Sequence, residues 1–252
     1  MTKTLGVIPA RMSSSRFPGK PLKNILKIPM IAHCFERAFM SGACDFLVIA
    51  TPDNEIMDWA SKFNIPSILT SDAHERATER AAEVVSILES NGEFFDYILL
   101  LQGDEPQINP IDINKLSNAF HDFHSEVVNL VYPIKEEDMA DENVVKAILT
   151  NSSLINFFTR AHVPHGGKSG IRQLGMIGFS AKALKIYDQL EMTELEMLES
   201  IDMMRFIEND VTIQGVFSSS PILGVDRPED IQKAELMMAD DPLIQQYQSK
   251  YL

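Results

Sequence analysis

The sequence predicts an α/β protein that has a mostly parallel sheet with helices on both faces and a smaller antiparallel lobe. Over the first half of the 252 residues, short apolar strands alternate with amphipathic helical segments, which is typical of right-handed βαβ units. From about residue 127 onwards, strand-like segments follow one another with turn signals between them. No clear linker separates the halves, so we expect a single domain, 1–252, whose smaller lobe spans about 127–207.

The elements of the first half follow from their hydrophobic periodicity. Strands are predicted at Leu5–Ala10, Phe46–Thr51, Ile65–Thr70 and Tyr97–Leu101. Helices are predicted at Met30–Met40, Asn54–Phe63, Thr78–Leu88 and Pro110–Phe123, and Arg11–Lys27 is predicted to be a loop. Ligands of such sheets bind at the carboxyl ends of the strands. We therefore expect chemistry in the loops after the first strand and after Tyr97–Leu101.

The second half is predicted to be richer in adjacent strands. Its strands are Val127–Pro133, Val144–Leu149, Leu154–Thr159, Leu174–Phe179 and Val211–Phe217. The segment Thr150–Ser153 carries the residues of a hairpin turn. A long amphipathic helix is predicted at Leu195–Ile207, and a final helix is predicted at Pro228–Met238.

Composition and charge exclude several classes of protein. Hydrophobic residues make up 45% of the chain and charged residues 23%, and the net charge is −14. An acidic chain lacks the basic footprint that nucleic acids or anionic membranes require. The sequence has neither an apolar run long enough to span a membrane nor a signal-peptide pattern, and its two cysteines cannot build a disulfide framework. A cytoplasmic protein is expected.

The amino-terminal segment departs from this acidic average. Residues 1–35 contain no Asp or Glu, but they contain six Lys and Arg residues among Gly, Ser and Pro. A cluster of positive charge on a loop favours a small anionic ligand. Chance clustering on a solvated face is the alternative.

The loop Pro9–Leu22 has the composition of a polyphosphate site. Arg11 and Lys20 can neutralise phosphate charge, while backbone N–H groups and Ser13, Ser14 and Ser15 can bond the oxygens. It is not a Walker A loop, which would need Gly at position 14 and Ser or Thr at position 21. Composition alone favours an ordinary basic surface loop equally well.

Two aspartates stand in turns at predicted strand ends. Asp104 follows the strand Tyr97–Leu101, and Asp226 precedes the helix that begins at Pro228. Two such carboxylates can share a Mg²⁺ ion, which prefers one or two carboxylates together with phosphate oxygens and water. Taken singly, Asp104 is explained as well by an Asx-turn and Asp226 by an N-cap.

The motifs together resemble one family. The loop reads A-R-M-S-S-S-R-F-P-G-K-P-L, and Q-G-D-E-P at 102–106 is followed far along the chain by G-V-D-R-P-E-D at 224–230. With T-E-R at 78–80 and F-T-R-A-H-V-P at 158–164, these motifs resemble the sugar-acid cytidylyltransferases, above all the CMP-Kdo synthetase family, within the nucleotide-diphospho-sugar-transferase-like fold. The resemblance extends from about Leu5 to Met238.

The resemblance implies a reaction and a set of residues. The anomeric hydroxyl of a 3-deoxy-octulosonate-type acid (Kdo, or an analogue such as its 8-amino form) would attack the α-phosphorus of CTP and release pyrophosphate. The residues that it implies for nucleotide binding are Pro9, Ala10, Arg11, Ser13, Ser14, Ser15, Lys20, Thr78, Arg80 and Gln102. Mg²⁺ would bind Asp104 and Asp226, which with Arg11 and Lys20 form the expected catalytic set. The family also implies a homodimer through the smaller lobe.

The acid-binding half departs from the family pattern. Gln173 stands where a His is common, and Glu199 begins a segment that differs from the usual E-Q-L-R; both lie where the family contacts its sugar. Arg160 is the candidate to grip the substrate carboxylate, although a surface ion pair explains it equally well. Arg76-Ala77 replaces the usual Ser-Gly before T-E-R. A related enzyme with another acid or nucleotide, or a nucleotide-binding protein without turnover, remains an alternative.

Overall fold

A computed structural model describes residues 2–14 and 16–252. Its strands are β1 (Thr4–Pro9), β2 (Asn24–Ile25), β3 (Ile28–Pro29), β4 (Phe46–Thr51), β5 (Ser67–Leu69), β6 (Tyr97–Leu100), β7 (Val127–Lys135), β8 (Lys146–Leu149), β9 (Leu154–Thr159), β10 (Ser169–Ser180) and β11 (Ile213–Phe217). Its helices are α1 (Met30–Ser41), α2 (Asn54–Lys62), α3 (Ala77–Ser90), α4 (Pro110–Phe123), α5 (Ala181–Gln189), α6 (Glu194–Glu199), α7 (Met204–Glu208) and α8 (Pro228–Met238). The predicted α/β class is confirmed.

The chain forms two compact units. The first contains Met1–Asn114 and Ile222–Leu252, and the second contains Lys115–Pro221. The second unit is wider at both ends than the lobe expected at 127–207. Since residues 222–252 return to the first unit, that unit is assembled from two separate stretches of the chain.

The first unit is built on four parallel strands in the order β5-β4-β1-β6. The central strand β1 is an apolar run in which Leu5, Val7 and Ile8 are fully buried, as expected for a strand that is covered on both faces. Because the strands are parallel, their carboxyl ends meet at one edge, where the loops after β1 and β6 lie.

The second unit has strands in the order β10-β7-β11-β9-β8, and β8 also pairs with β10. The pairings are antiparallel except for β11 with β7, which is parallel. The turn between β8 and β9 confirms the predicted hairpin. A bulge interrupts the pairing of β10 with β7 between Gln173 and Ile177.

The predicted long helix Leu195–Ile207 is wrong. The segment forms two short helices, α6 and α7, because Ser200 adopts a left-handed conformation with φ 54° and ends α6. The apolar spacing nevertheless continues across the break, since Ile201, Met203, Met204 and Phe206 are buried. Hydrophobic periodicity alone therefore could not reveal the interruption.

Several further elements were not predicted. Helix α5 begins after Ser180, whose Oγ accepts the Ala183 N–H at 3.0 Å and caps the helix. The predicted loop Arg11–Lys27 contains a 3₁₀ turn at Lys20–Leu22 and the strand β2, which pairs with β3. Among the described residues, no helix is both long enough and apolar enough to cross a membrane.

Candidate functional site

A cleft of about 280 Å³ opens in the first unit at the carboxyl ends of β1 and β6. Its lining consists of Pro9, Ala10, Arg11, Ser14, Arg16, Lys20, Pro21, His74, Glu75, Arg76, Ala77, Arg80, Gln102, Gly103, Asp104 and Asp226. Five of these residues are Arg or Lys and three are Asp or Glu. Positive charge therefore predominates in the cleft, which favours an anionic ligand.

The loop after β1 is fastened to the edge of the sheet by its backbone. The Ala10 N–H donates to the Ala50 carbonyl at 2.9 Å, and the Met12 N–H donates to Asp53 Oδ2 at 2.7 Å. Gly19 turns the chain with a φ of 72°, and its N–H donates to the Met12 carbonyl at 2.9 Å. These contacts fix the loop whose residues Arg11 and Lys20 line the cleft.

The turn that carries Asp104 is pressed against the end of β1. A Cβ atom at Gly103 would lie 2.5 Å from the Pro9 carbonyl oxygen and 3.1 Å from Ile31 Cδ1. Only glycine permits this close approach. The Val225 N–H donates to the Asp104 carbonyl at 2.9 Å, so the backbone holds the Asp104 turn beside the segment of Asp226.

Lys20 joins the two aspartates. Its Nζ lies 2.7 Å from Asp104 Oδ2 and 3.5 Å from Asp226 Oδ1, and it donates to the Val225 carbonyl at 3.0 Å. Both carboxylates therefore lie within reach of one central cation. Arg16 Nη2 contacts the same Asp226 oxygen at 3.1 Å.

The N-cap role considered for Asp226 is wrong. The residue that precedes the first turn of α8 is Arg227. The carboxylate of Asp230 accepts the N–H of Asp226 at 3.2 Å and that of Arg227 at 3.0 Å. The side chain of Asp226 is thus directed to Arg16 and Lys20 rather than to the helix.

The start of α3 forms another wall of the cleft. Arg76 and Arg80 line it, and the Arg80 Nη1 donates to Thr70 Oγ1 and to the Ser71 carbonyl at 2.9 Å. Burial, followed by the nearby positive charge of Arg11, lowers the pKa of Arg80. The Arg76 N–H donates to Glu79 Oε2 at 3.1 Å, which fixes the first turn of the helix.

The predicted nucleotide residues fall into three groups. Pro9, Ala10, Arg11, Ser14, Lys20, Arg80 and Gln102 come together at the cleft. Ser13 is exposed and Thr78 is fully buried, and neither is among the described residues that line the cleft. Ser15 lies outside the described residues.

Seven further residues line the cleft without having been assigned to the site from the sequence: Arg16, Pro21, His74, Glu75, Arg76, Ala77 and Gly103. The amino-terminal cluster of positive charge was a signal for Arg16, which belongs to it. The Nε2 of His74 lies 2.7 Å from Glu83 Oε2, and its side chain is 24% exposed. No sequence pattern predicted that residues 74–76 would line the same cleft as Asp226.

The three predicted acid-binding residues lie in the second unit. Arg160 Nε donates to the Glu199 carbonyl at 2.7 Å, and its Nη1 donates to the Glu142 carbonyl at 2.8 Å. The Glu199 carboxylate accepts the Thr159 hydroxyl and the Arg160 N–H, both at 2.8 Å. Arg160 and Glu199 therefore form one interlocked pair.

Two buried polar residues hold these acid-binding candidates in place: Lys146 contacts Arg160, and Asn129 contacts Gln173. The Lys146 side chain is almost fully buried, and its Nζ donates to the Arg160 carbonyl at 3.0 Å; burial lowers its pKa. Gln173 Nε2 donates to Asn129 Oδ1 at 2.8 Å. Asn129 in turn donates to the carbonyls of Leu174 and Met176 at 2.9 and 3.0 Å, which holds the bulge of β10 that follows Gln173.

Comparison with known proteins gives concordant matches. The family model described as cytidylyltransferase matches residues 5–213. A 3-deoxy-manno-octulosonate cytidylyltransferase of Syntrophobacter fumaroxidans is 35% identical over 247 residues, which cover 95% of this chain and 98% of the relative. The mitochondrial enzyme of that name in Arabidopsis thaliana is 34% identical, with coverage of 95% and 84%.

A solved structure matches over the same extent. The structure of CMP:2-keto-3-deoxy-manno-octonic acid synthetase complexed with CTP superposes with a TM-score of 0.88 at 30% identity. It covers 95% of this chain and 100% of the solved chain. The likeness therefore includes both units and not the cleft alone.

Proposed function

Since the chain belongs to the cytidylyltransferase family, we propose that it couples CTP to a 3-deoxy-octulosonate-type sugar acid. The anomeric hydroxyl oxygen bonds to the α-phosphorus of CTP and its proton passes to solvent, while the bond between that phosphorus and the oxygen that bridges to the β-phosphate breaks and pyrophosphate leaves. The carrying observation is the meeting of Asp104, Lys20 and Asp226 in one cleft. These residues come from segments that are far apart in the sequence. Together they offer positive charge for a triphosphate and carboxylates for the metal ion that would accompany it.

The cleft residues supply binding and charge neutralisation. Arg11, Arg16 and Lys20 offer positive charge to the phosphates, and Ser14 lies in the same loop. Arg80 and Gln102 line the cleft beside them and are proposed to contact the nucleotide. Phosphoryl transfer needs mainly positioning and charge stabilisation, so this set requires neither a separate base nor a covalent intermediate.

The donor set of Asp104 and Asp226 fits Mg²⁺. Two carboxylates that converge on one cation match the preference of this ion for one or two carboxylates completed by phosphate oxygens and water. We propose that these two residues hold it. When bound, the ion supplies Lewis-acid polarisation of the α-phosphate and a lower pKa of the attacking hydroxyl.

The acid is proposed to bind residues of the second unit. Backbone carbonyls orient the Arg160 guanidinium, which supports a role in gripping a carboxylate, because a planar fork is effective only when it is held in place. Gln173 and Glu199 are proposed to contact the sugar. Their departure from the family pattern is the reason to test an 8-amino analogue beside Kdo.

We also propose a cytoplasmic homodimer that associates through the second unit. Met197 and Leu198 on α6 are 58% and 73% exposed, whereas Met203 and Met204 are buried. An exposed apolar pair on one short helix favours a partner surface. Light scattering coupled to size exclusion, applied to the wild type and to the double variant Met197→Glu and Leu198→Glu, tests this: a monomeric wild type would contradict it.

The reaction is tested by pyrophosphate release with a matrix of substrates. CTP, UTP, GTP and ATP are each combined with Kdo, its 8-amino form and a nine-carbon sugar acid, in the presence of Mg²⁺. We expect release with CTP and an eight-carbon acid only. Tight CTP binding without turnover on any acid would favour the nucleotide-binding alternative, and release with another nucleotide would reassign the substrate.

A further inference from the structure

We propose that Lys20 holds Asp104 and Asp226 together in the nucleotide-free protein and keeps a divalent cation out until the triphosphate of CTP draws its ammonium group away. Lys20 is then a positioning residue for the metal ligands, in addition to its contact with phosphate. The inference rests on the proposed function, because it takes CTP as the nucleotide and the two aspartates as the ligands. It adds that the nucleotide binds before the metal ion or together with it.

The first step concerns repulsion between the aspartates. Their side chains are 33% and 45% exposed, whereas that of Lys20 is only 13% exposed. Two carboxylates this close repel each other unless a cation lies between them. The Lys20 ammonium supplies that charge, and its third contact, to the Val225 carbonyl, fixes it at the centre of the group.

The second step concerns space. A Mg²⁺ ion held by the carboxylates of Asp104 and Asp226 would need the region between these two side chains. The Lys20 Nζ already occupies this region, at 2.7 Å from Asp104 Oδ2 and 3.5 Å from Asp226 Oδ1. An ammonium and a divalent ion cannot share it, both because of volume and because like charges repel strongly at such separations.

The third step concerns release. Two other cations of the cleft, Arg11 and Arg16, attract a triphosphate to the same loop. Its oxygens give the Lys20 ammonium a new anionic partner and also offer additional ligands to the metal. Nucleotide binding therefore precedes or accompanies metal binding, and metal without nucleotide binds weakly.

The experiment measures binding of Mn²⁺ alone, by the loss of its free electron paramagnetic resonance signal, with no nucleotide or acid present. The proteins are the wild type, Lys20→Met, and the control Lys23→Met, which removes the same charge from an exposed lysine nearby. Removal of a central ammonium should raise the Mn²⁺ affinity of Lys20→Met at least about tenfold, with no change in Lys23→Met. Adding Asp104→Asn to Lys20→Met should abolish the gain.

Loss of structure in Lys20→Met would lower metal affinity, so a gain cannot come from misfolding, and thermal unfolding verifies the fold. If Lys20→Met does not fold, the same comparison of Mn²⁺ affinity is made between Lys20→Gln and the wild type. The inference is overturned if the wild type alone binds one Mn²⁺ in an Asp104-dependent manner as tightly as the Lys20 variants do. No turnover is involved, so this result is distinct from the outcome of the pyrophosphate assay.

Discussion

The two groups of functional side chains are held by different kinds of contact. In the first unit, the cations Arg16 and Lys20 are paired with the carboxylates of Asp226 and Asp104. In the second unit, the guanidinium of Arg160 is held by neutral backbone carbonyls. Ion pairs in a partly exposed cleft can be exchanged for pairs with phosphate or metal, whereas carbonyl contacts fix an orientation without neutralising the charge. We therefore expect the proposed nucleotide site to rearrange on ligand binding and the proposed acid site to be preorganised.

The largest effect is expected at the paired carboxylates. Asp104→Asn should reduce kcat at least about a hundredfold, since it weakens one of the two proposed ligands of the Mg²⁺ ion that would polarise the phosphate. Asp104 lies in a partly exposed turn, so thermal unfolding should be almost unchanged. Pyrophosphate release and unfolding are measured on the same preparation. Normal turnover by Asp104→Asn would remove this residue from the catalytic set. The comparison between the ion pairs of the first unit and the carbonyl contacts of the second would then have no functional meaning.

The next largest effect is a pH dependence of stability within the first unit. His33 is fully buried; its Nε2 lies 2.9 Å from the Ile25 carbonyl and its Nδ1 lies 2.7 Å from the Tyr247 hydroxyl. A carbonyl only accepts, so Nε2 carries a proton. Burial lowers the pKa of His33 from 6.5 to about 4.

Between those two pKa values the unfolded chain binds a proton that the folded chain does not, so stability falls as the pH falls. From pH 7 to pH 5 the contribution of His33 should fall by about 2 kcal/mol. Urea unfolding followed by tryptophan fluorescence reports this, because the single tryptophan, Trp59, is in the first unit and packs on Tyr251. A variant His33→Gln that shows the same pH slope as the wild type would contradict the assignment.

A smaller effect is expected at Arg160. Arg160→Lys keeps the charge but loses the planar fork and its carbonyl contacts, so the KM for the acid should rise about tenfold while the KM for CTP stays the same. Steady-state kinetics with each substrate varied in turn separates the two constants. An equal rise in both would show that Arg160 acts on the fold rather than on the acid.

The smallest effect is expected at Gln173. Gln173→His restores the residue common in the family and can still bond Asn129 through a ring nitrogen. We expect a change of a few-fold, about 1 kcal/mol or less, in the ratio of kcat/KM for Kdo to that for its 8-amino form. The CTP constants serve as the internal control. An unchanged ratio would place acid selection at other residues.

Periodicity and capping signals were sufficient for the elements with clear boundaries. The bounds of β4, β9, α4 and α8 were predicted to the residue, since each lies between recognisable turn or proline signals. The break at Ser200 was not predictable, because a left-handed serine carries no sequence signal and the residues on either side of it keep a helical spacing.

The candidate site was predictable only in part, because sequence motifs identify residues but not the tertiary contacts between them. Motifs identify Asp104, Asp226 and Lys20, but they do not show that the ammonium of Lys20 lies between the two carboxylates. That contact depends on the close approach of Gly103 to Pro9 and on the backbone bond from Val225 to Asp104. Both are tertiary contacts between segments that are distant in the chain.

The discontinuity of the first unit has a consequence for biosynthesis. Residues 1–114 leave the ribosome long before residue 226, and all of 115–221 is made in between. During translation the early segment therefore exposes Asp104 and Lys20 without their third partner, and the cleft can be completed only when the last part of the polypeptide emerges. A truncated product that stops before this point has the four parallel strands of the first unit but not Asp226. Because we propose that Asp226 holds the metal ion, we expect premature termination to yield an inactive protein rather than a partly active one.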